Sequence, residues 1–176
     1  SPTRSAVQWW QFDPFESPDE FDTIPYTQFG RIDDPAGRRF FAFPSIAVNA
    51  NDDALIGYTR FGDDQYASAN YSFRFADDPP NTMQDDTVLK AGEATYYKTF
   101  GGPTNRWGDY SATVVDPAND TDFWTIQEYA AAPANSWGTW WGHISPSNFD
   151  PPGTITTIAG TGTGGFGGDG NDATGA

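Results

Sequence analysis

A chain of 176 residues is long enough to bury a core, and 37% hydrophobic with 16% aromatic content describes a folded protein rather than a disordered one. The net charge of -15 excludes a general affinity for nucleic-acid backbones or anionic membranes, and the absence of cysteine excludes a disulfide framework, Cys-ligated zinc and a thiol nucleophile. The 7 Trp, 8 Tyr and 14 Phe, set among 19 Gly and 14 Pro, suit short strands joined by irregular turns, so the expected class is all-β.

Residues 1–6 form a polar lead-in. Residues 7–12, VQWWQF, predict a strongly aromatic strand ended by the turn signal Asp13-Pro14. Residues 15–23 are acidic and contain proline, as in a surface loop. Residues 25–32 predict a second strand before the turn Asp33-Asp34-Pro35-Ala36-Gly37. Residues 40–49, FFAFPSIAVN, open a hairpin that turns over 49–53 and returns along 54–61, ALIGYTRF. Residues 66–75, YASANYSFRF, predict the next strand, which stops at Asp77-Asp78-Pro79-Pro80. A polar loop at 81–86 follows, and residues 95–100, TYYKTF, predict another strand before Gly101-Gly102-Pro103. A hairpin with arms 110–115 and 123–129 around the polar turn 116–122 comes next. Residues 137–144, WGTWWGHI, predict the last strand of the body, closed by Ser145-Pro146. No apolar run approaches the ~20 residues needed to cross a bilayer. The start at Ser1 rather than Met, with no signal peptide, leads us to expect an excised or processed piece.

Laid side by side, these segments repeat. VNANDDALIGYTRF (48–61) aligns with VDPANDTDFWTIQEY (115–129) allowing one inserted residue, and the period from Asn49 to Asp116 is 67 residues. YSFRFADDP parallels WWQFDP and WWGHISP, and TYYKTFGG parallels YTQFGRIDD. With the strands of one unit named first to fourth, the chain runs third and fourth, then first to fourth, then first to third. Four antiparallel strands in tandem repetition are the pattern of β-propeller blades. The expected fold is therefore tandem four-stranded blades in an incomplete ring over residues 1–150. A sandwich of unrelated hairpins is the rival.

Composition shifts after Asp150. Pro151-Pro152-Gly153 reads as a linker, and residues 151–176 as linker plus a glycine-rich segment with a short apolar strand at 155–159. The segment TITTIAGTGTGGFGGDGNDATGA resembles the opening of an NHL-repeat propeller. The body, through FPSIAVN, GEATYY, NRWGDYSATVVDP, FWTIQEYA and WGTWW, resembles a recurring region of large secreted bacterial proteins that look like sialidase-type (BNR) propellers. The resemblance implies a secreted or cell-surface location and carries no established chemistry. It also implies that the chain is a fragment whose sheet edges are covered by other protein chains or by missing blades.

Glycoside hydrolysis needs two carboxyl groups flanking the bond, or a tyrosine nucleophile with carboxylate support. Arg106, Asp109 and Glu128 are the candidates, with Glu93, Tyr110 and Tyr129 beside them, and Arg106 would meet a substrate carboxylate. No S-x-D-x-G-x-x-W box accompanies them. The structural alternative, which we prefer, pairs Arg106 with Asp109 or with backbone at a strand entrance and packs Trp107 between blades. Inter-blade packing is the preferred role of the tryptophans; the rival is glycan binding, with Trp107 and Trp141 as the candidate stacking platforms.

The acidic turns offer hard oxygen donors suited to calcium: Asn49, Asn51 and Asp52 in one, Asp116, Asn119, Asp120 and Asp122 in the other. Neither follows the EF-hand pattern, and tight turns select Asn and Asp on backbone grounds alone. A turn without metal is the preferred reading and a calcium-stabilised assembly subunit the alternative. GTGTGGFGGDG lacks the Gly-Lys-Ser/Thr ending of a phosphate loop. His143 is the single histidine, which excludes a histidine-rich metal site and makes a packed or surface histidine the expected role. In Trp9-Trp10, Tyr96-Tyr97 and Trp140-Trp141, strand alternation would place one ring on each face of a sheet. The expected function is a noncatalytic structural, adhesive or interaction segment, with a sialidase-like hydrolase as the alternative.

Overall fold

The computed structural model describes residues 4–13 and 26–148. The loop at 15–23, the boundary at 150–151 and the NHL-like segment lie outside the described residues. The described chain is all-β. Its strands are β1 (Val7–Phe12), β2 (Tyr26–Ile32), β3 (Arg39–Val48), β4 (Ala54–Gly62), β5 (Ser68–Arg74), β6 (Thr87–Lys90), β7 (Ala112–Val115), β8 (Phe123–Ala131) and β9 (Ser136–Ile144). A single 3-10 turn, Pro146–Asn148, follows β9. Among the described residues no helix is long and apolar enough to cross a membrane.

Every pairing is antiparallel between chain neighbours, giving open sheets of order β1-β2, β3-β4-β5-β6 and β7-β8-β9. The grouping of two, four and three strands is the one the repeat predicted. One strand is a correction. The fourth strand of the middle sheet is β6, and residues 95–100 form no strand. Their backbone groups are taken by side chains and loops instead of a ladder. The amide of Tyr97 donates to Asn135 Oδ1 and that of Lys98 to Asn105 Oδ1, each across 2.7 Å. The carbonyl of Thr95 accepts from the Asn135 amide.

The sheets stack face to face. Alternation along β4 sends Ile56 and Tyr58 one way, onto Val7, Trp9 and Ile32 of the first sheet and Phe41 of its own. It sends Leu55 the other way, where with Tyr71 and Phe73 it meets Phe123, Tyr129 and Ile144 of the third sheet. The middle sheet is thus apolar on both faces, and the first seven residues of β4 and all of β5 are buried. Large apolar side chains stand exposed on the outer faces of the flanking sheets. Trp10 and its register partner Phe29 are exposed on the first sheet, Val114 and Trp141 on the third.

Between the second and third sheets runs a polar seam. Ser45 Oγ and Thr113 Oγ1 lie 2.8 Å apart, Thr113 Oγ1 and Thr125 Oγ1 2.9 Å apart, and Gln127 Nε2 donates to Thr125 Oγ1 at 3.0 Å. Gly57 makes room for the seam: a Cβ there would sit 2.2 Å from Gln127 Nε2. The two repeated turns adjoin. The Ala50 amide donates to the carbonyl of Asp120 at 2.9 Å, so the 67-residue repeat brings like turn beside like turn.

Candidate ligand-binding cleft

Residues 105–111, NRWGDYS, lead into β7 and are shaped by an irregularity in β3. The β3–β4 register shifts between Ala42 and Ser45, and Phe43, which precedes Pro44, takes a left-handed φ of 56°. This bulge re-aims the Phe43 ring onto Gly108 and leaves the Phe43 carbonyl to accept from Ser111 Oγ at 3.0 Å. Gly108 itself has φ +95°, and a Cβ there would lie 2.0 Å from Phe43 Cδ1. Glycine meets both demands, and the turn it permits sends its neighbours in different directions. Trp107 packs edge-on to Phe61 and Tyr96 and donates through Nε1 to Thr59 Oγ1 at 3.2 Å. Arg106 and Asp109 remain at the surface.

The result is a cleft of about 150 Å³. Its walls are Tyr96, Phe100, Trp107, Tyr110 and Trp137, and its charged groups are Arg106, Asp109 and Glu128. Tyr110 and Trp137 stack at 4.9 Å with 20° between ring planes. Asp109 Oδ2 accepts from both Arg106 Nε, at 3.0 Å, and Nη2, at 2.6 Å. Glu128 is 5% exposed, and its Oε2 accepts the Gly108 amide at 2.7 Å. Burial pushes the Glu128 carboxyl above the usual glutamate range; the Gly108 amide opposes this and the Asp109 charge adds to it. Burial, then the Glu128 charge, likewise raises the Tyr96 hydroxyl.

Four residues singled out from the sequence, Arg106, Trp107, Asp109 and Glu128, therefore line one cleft together with Tyr110. The others lie elsewhere. Glu93 pairs with Lys90 Nζ at 2.7 Å and accepts the Ala132 amide, which together hold its carboxyl below the usual range. Tyr129 is buried in the core, and Trp141 stands 41% exposed on the outer face of the third sheet. Three lining residues were not named as candidate site residues. Tyr96 and Phe100 were assigned to a strand that does not form. Trp137 joins the cleft because β9 returns alongside β8, a pairing of Trp137 with Ala130 that WGTWW does not itself specify.

In the acidic turns Asn49, Asp116, Asn119 and Asp122 spend side-chain oxygens on their own chain. Asn49 Oδ1 accepts the amides of Asn51 and Asp53, and Asn119 Oδ1 those of Thr121 and Asp122. Asp116 accepts from the Ala118 amide and from Trp124 Nε1, contacts that hold its carboxyl below the usual range. Asp52 and Asp120 adopt left-handed φ of 62° and 58° as tight-turn residues. Among the described residues no cluster of three or more His, Asp or Glu side chains is arranged to hold a metal. His143 stacks on Trp124, with Nε2 2.9 Å from Asp122 Oδ2 but out of line for a hydrogen bond.

A larger cavity of about 400 Å³ lies by the first sheet, lined in part by Arg31, Arg39, Arg60 and Asp86. Its cations are already paired: Arg31 with Asp33, Arg39 with Asp64, and Arg60 with Asp86. Asp86 also accepts from Tyr58 Oη at 2.9 Å and Asn70 Nδ2 at 2.8 Å. This is a structural tie between strands. Comparisons with protein-family models, curated proteins and solved structures found no match for the chain.

Proposed function

We propose that this chain is a noncatalytic segment of a tandem-bladed β-protein, working at the cell surface or outside the cell as a structural and interaction module. The observation that carries the reading is the arrangement of the stack. The middle sheet is covered on both faces by antiparallel sheets of its own kind, while Trp10 and Trp141 stand half-exposed on the outer faces of the flanking sheets. The partner that fits such a face is a further antiparallel sheet, because the stack repeats the same apolar contact from layer to layer. The side-by-side repeated turns support the blade interpretation.

The cleft supports a binding rather than a hydrolytic role. Asp109 is closed on Arg106 and Glu128 Oε2 accepts the Gly108 amide, so the guanidinium that would receive a substrate carboxylate is already paired. The elevated Glu128 carboxyl in a cleft shared with Asp109 is what favours the sialidase-like hydrolase as second reading. Incubation with fluorogenic glycosides, together with sedimentation of the chain over a concentration series, separates the two. Association weakened by Trp10→Glu and Trp141→Glu, with no fluorophore released, is the expected result. Turnover abolished by Glu128→Gln would replace the module with an enzyme, and a monomer at every concentration would remove the uncovered faces as docking surfaces.

A further inference from the structure

We propose that the cleft beside Gly108 is a subsite for one neutral sugar ring of a glycan. The inference rests on the noncatalytic reading of this cleft and names the ligand class it would take. Tyr110, 51% exposed and backed by the stacked Trp137 ring, presents an apolar aromatic surface at the cleft. Arg106, Asp109 and Glu128 stand around it as charged hydrogen-bonding groups. A pyranose has the complementary form, C–H groups over its face and hydroxyls around its rim, so one ligand can use both the aromatic surface and the charged groups.

Glu128 adds a second observation. It is nine-tenths buried and lines the cleft, yet only Oε2 is engaged, by the Gly108 amide; among the described residues no protein donor reaches Oε1. A carboxylate oxygen that takes no protein donor, on a residue lining the cleft, can accept from a ligand, and a sugar hydroxyl supplies that donor. The size narrows the class further. At about 150 Å³ the cleft is well below the roughly 300 Å³ at which sites for larger ligands begin, so it admits one terminal ring.

Charge decides against acidic sugars. The one guanidinium in the cleft is bidentate on Asp109, two carboxyl groups flank it, and the whole chain carries -15. A sialic acid or sulfated sugar would meet a repelling field without a free cation to receive it.

The test is titration of the chain with methyl glycosides of glucose, galactose, mannose and N-acetylglucosamine, and with lactose against sialyllactose. Binding is followed by tryptophan fluorescence and saturation-transfer NMR. At least one neutral sugar is expected to bind, with affinity falling by about tenfold or more in Tyr110→Ala, Trp137→Ala and Glu128→Gln and unchanged in Tyr66→Ala, an exposed ring outside the cleft. Tyr110→Ala removes an exposed ring, so with circular dichroism as control it keeps the test decisive should Trp137→Ala unfold. No binding of any neutral sugar, binding undiminished by Tyr110→Ala, or preference for sialyllactose over lactose would overturn the proposal. Cleavage of a bound glycoside with the same residue dependence would support the subsite and overturn the noncatalytic reading.

Discussion

The side-chain amide of Asn49 donates to the carbonyl of Thr121 across 2.7 Å, joining the turn of one repeat to the turn of the next. The same side chain accepts the Asn51 and Asp53 amides and donates to Asp53 Oδ2, and the residue is 5% exposed. Asn49→Ala strands several buried partners at once. We expect a loss of about 2–3 kcal/mol in urea denaturation, far above an exposed turn substitution such as Asn51→Ala. A loss equal to that of Asn51→Ala would show that the turns fold independently.

Gly108→Ala combines a left-handed backbone with a clash against Phe43. The two together cost about 3 kcal/mol, and the cleft rings should change environment in near-ultraviolet circular dichroism. Phe43→Ala in the same chain relieves the clash and leaves the backbone penalty, so partial rescue is the expected outcome. No rescue would place the whole cost in the backbone.

Asp86 gathers Tyr58, Arg60 and Asn70 onto one carboxylate. Asp86→Ala leaves three donors without it, one of them a mostly buried guanidinium, and should cost about 3–5 kcal/mol. Tyr58→Phe removes only one hydroxyl, which also lies 2.8 Å from Ser72 Oγ, and should cost about 1 kcal/mol. Chemical denaturation ranks the two, and equal losses would contradict the network.

Glu128 sets a pH dependence of its own. Burial holds its folded-state carboxyl above the unfolded value, so proton binding favours the fold. That contribution is complete below the ordinary glutamate range and is lost as pH rises through the folded value. Glu128→Gln, whose amide oxygen can still accept from Gly108, should therefore raise the melting temperature at neutral pH, and the gain should vanish on acidification below the glutamate range. A pH-independent difference between variant and parent would sink the buried-charge account.

Calcium should leave the melting temperature unmoved. Asn49, Asp116 and Asn119 direct their oxygens at neighbouring amides, and a cation would have to displace those bonds. Thermal melts with millimolar calcium and with chelator check this; a rise reversed by chelator would restore the turns as metal sites.

Much of the strand layout was legible because its signals are local. VQWWQF is β1 residue for residue, and the Asn- and Asp-rich turns at 49–53 and 116–122 fall where their backbone preferences put them. The repeat further separated the strands into groups of two, four and three. The fourth strand of the middle sheet was not legible. Thr87–Lys90 is only four residues long and shows little alternation, whereas TYYKTF carries the composition of a strand but spends its backbone bonds on Asn105 and Asn135. Composition reports what a segment can pair with; whether a partner edge lies within reach is a property of the fold.

The cleft divides the same way. Arg106, Asp109 and Glu128 stood out in the sequence as charged candidates for glycoside chemistry, and Trp107 as a ring for packing or stacking. Their convergence needed the β3 bulge to press Phe43 on Gly108, and the wall needed Tyr96, Phe100 and Trp137. By itself the sequence determined the all-β class, most strand positions and the acidic turns, since alternation and turn chemistry act over a few residues. Only the tertiary structure decided which rings close the cleft and which carboxylate is buried. Desolvation and side-chain convergence depend on atoms brought together from distant parts of the chain.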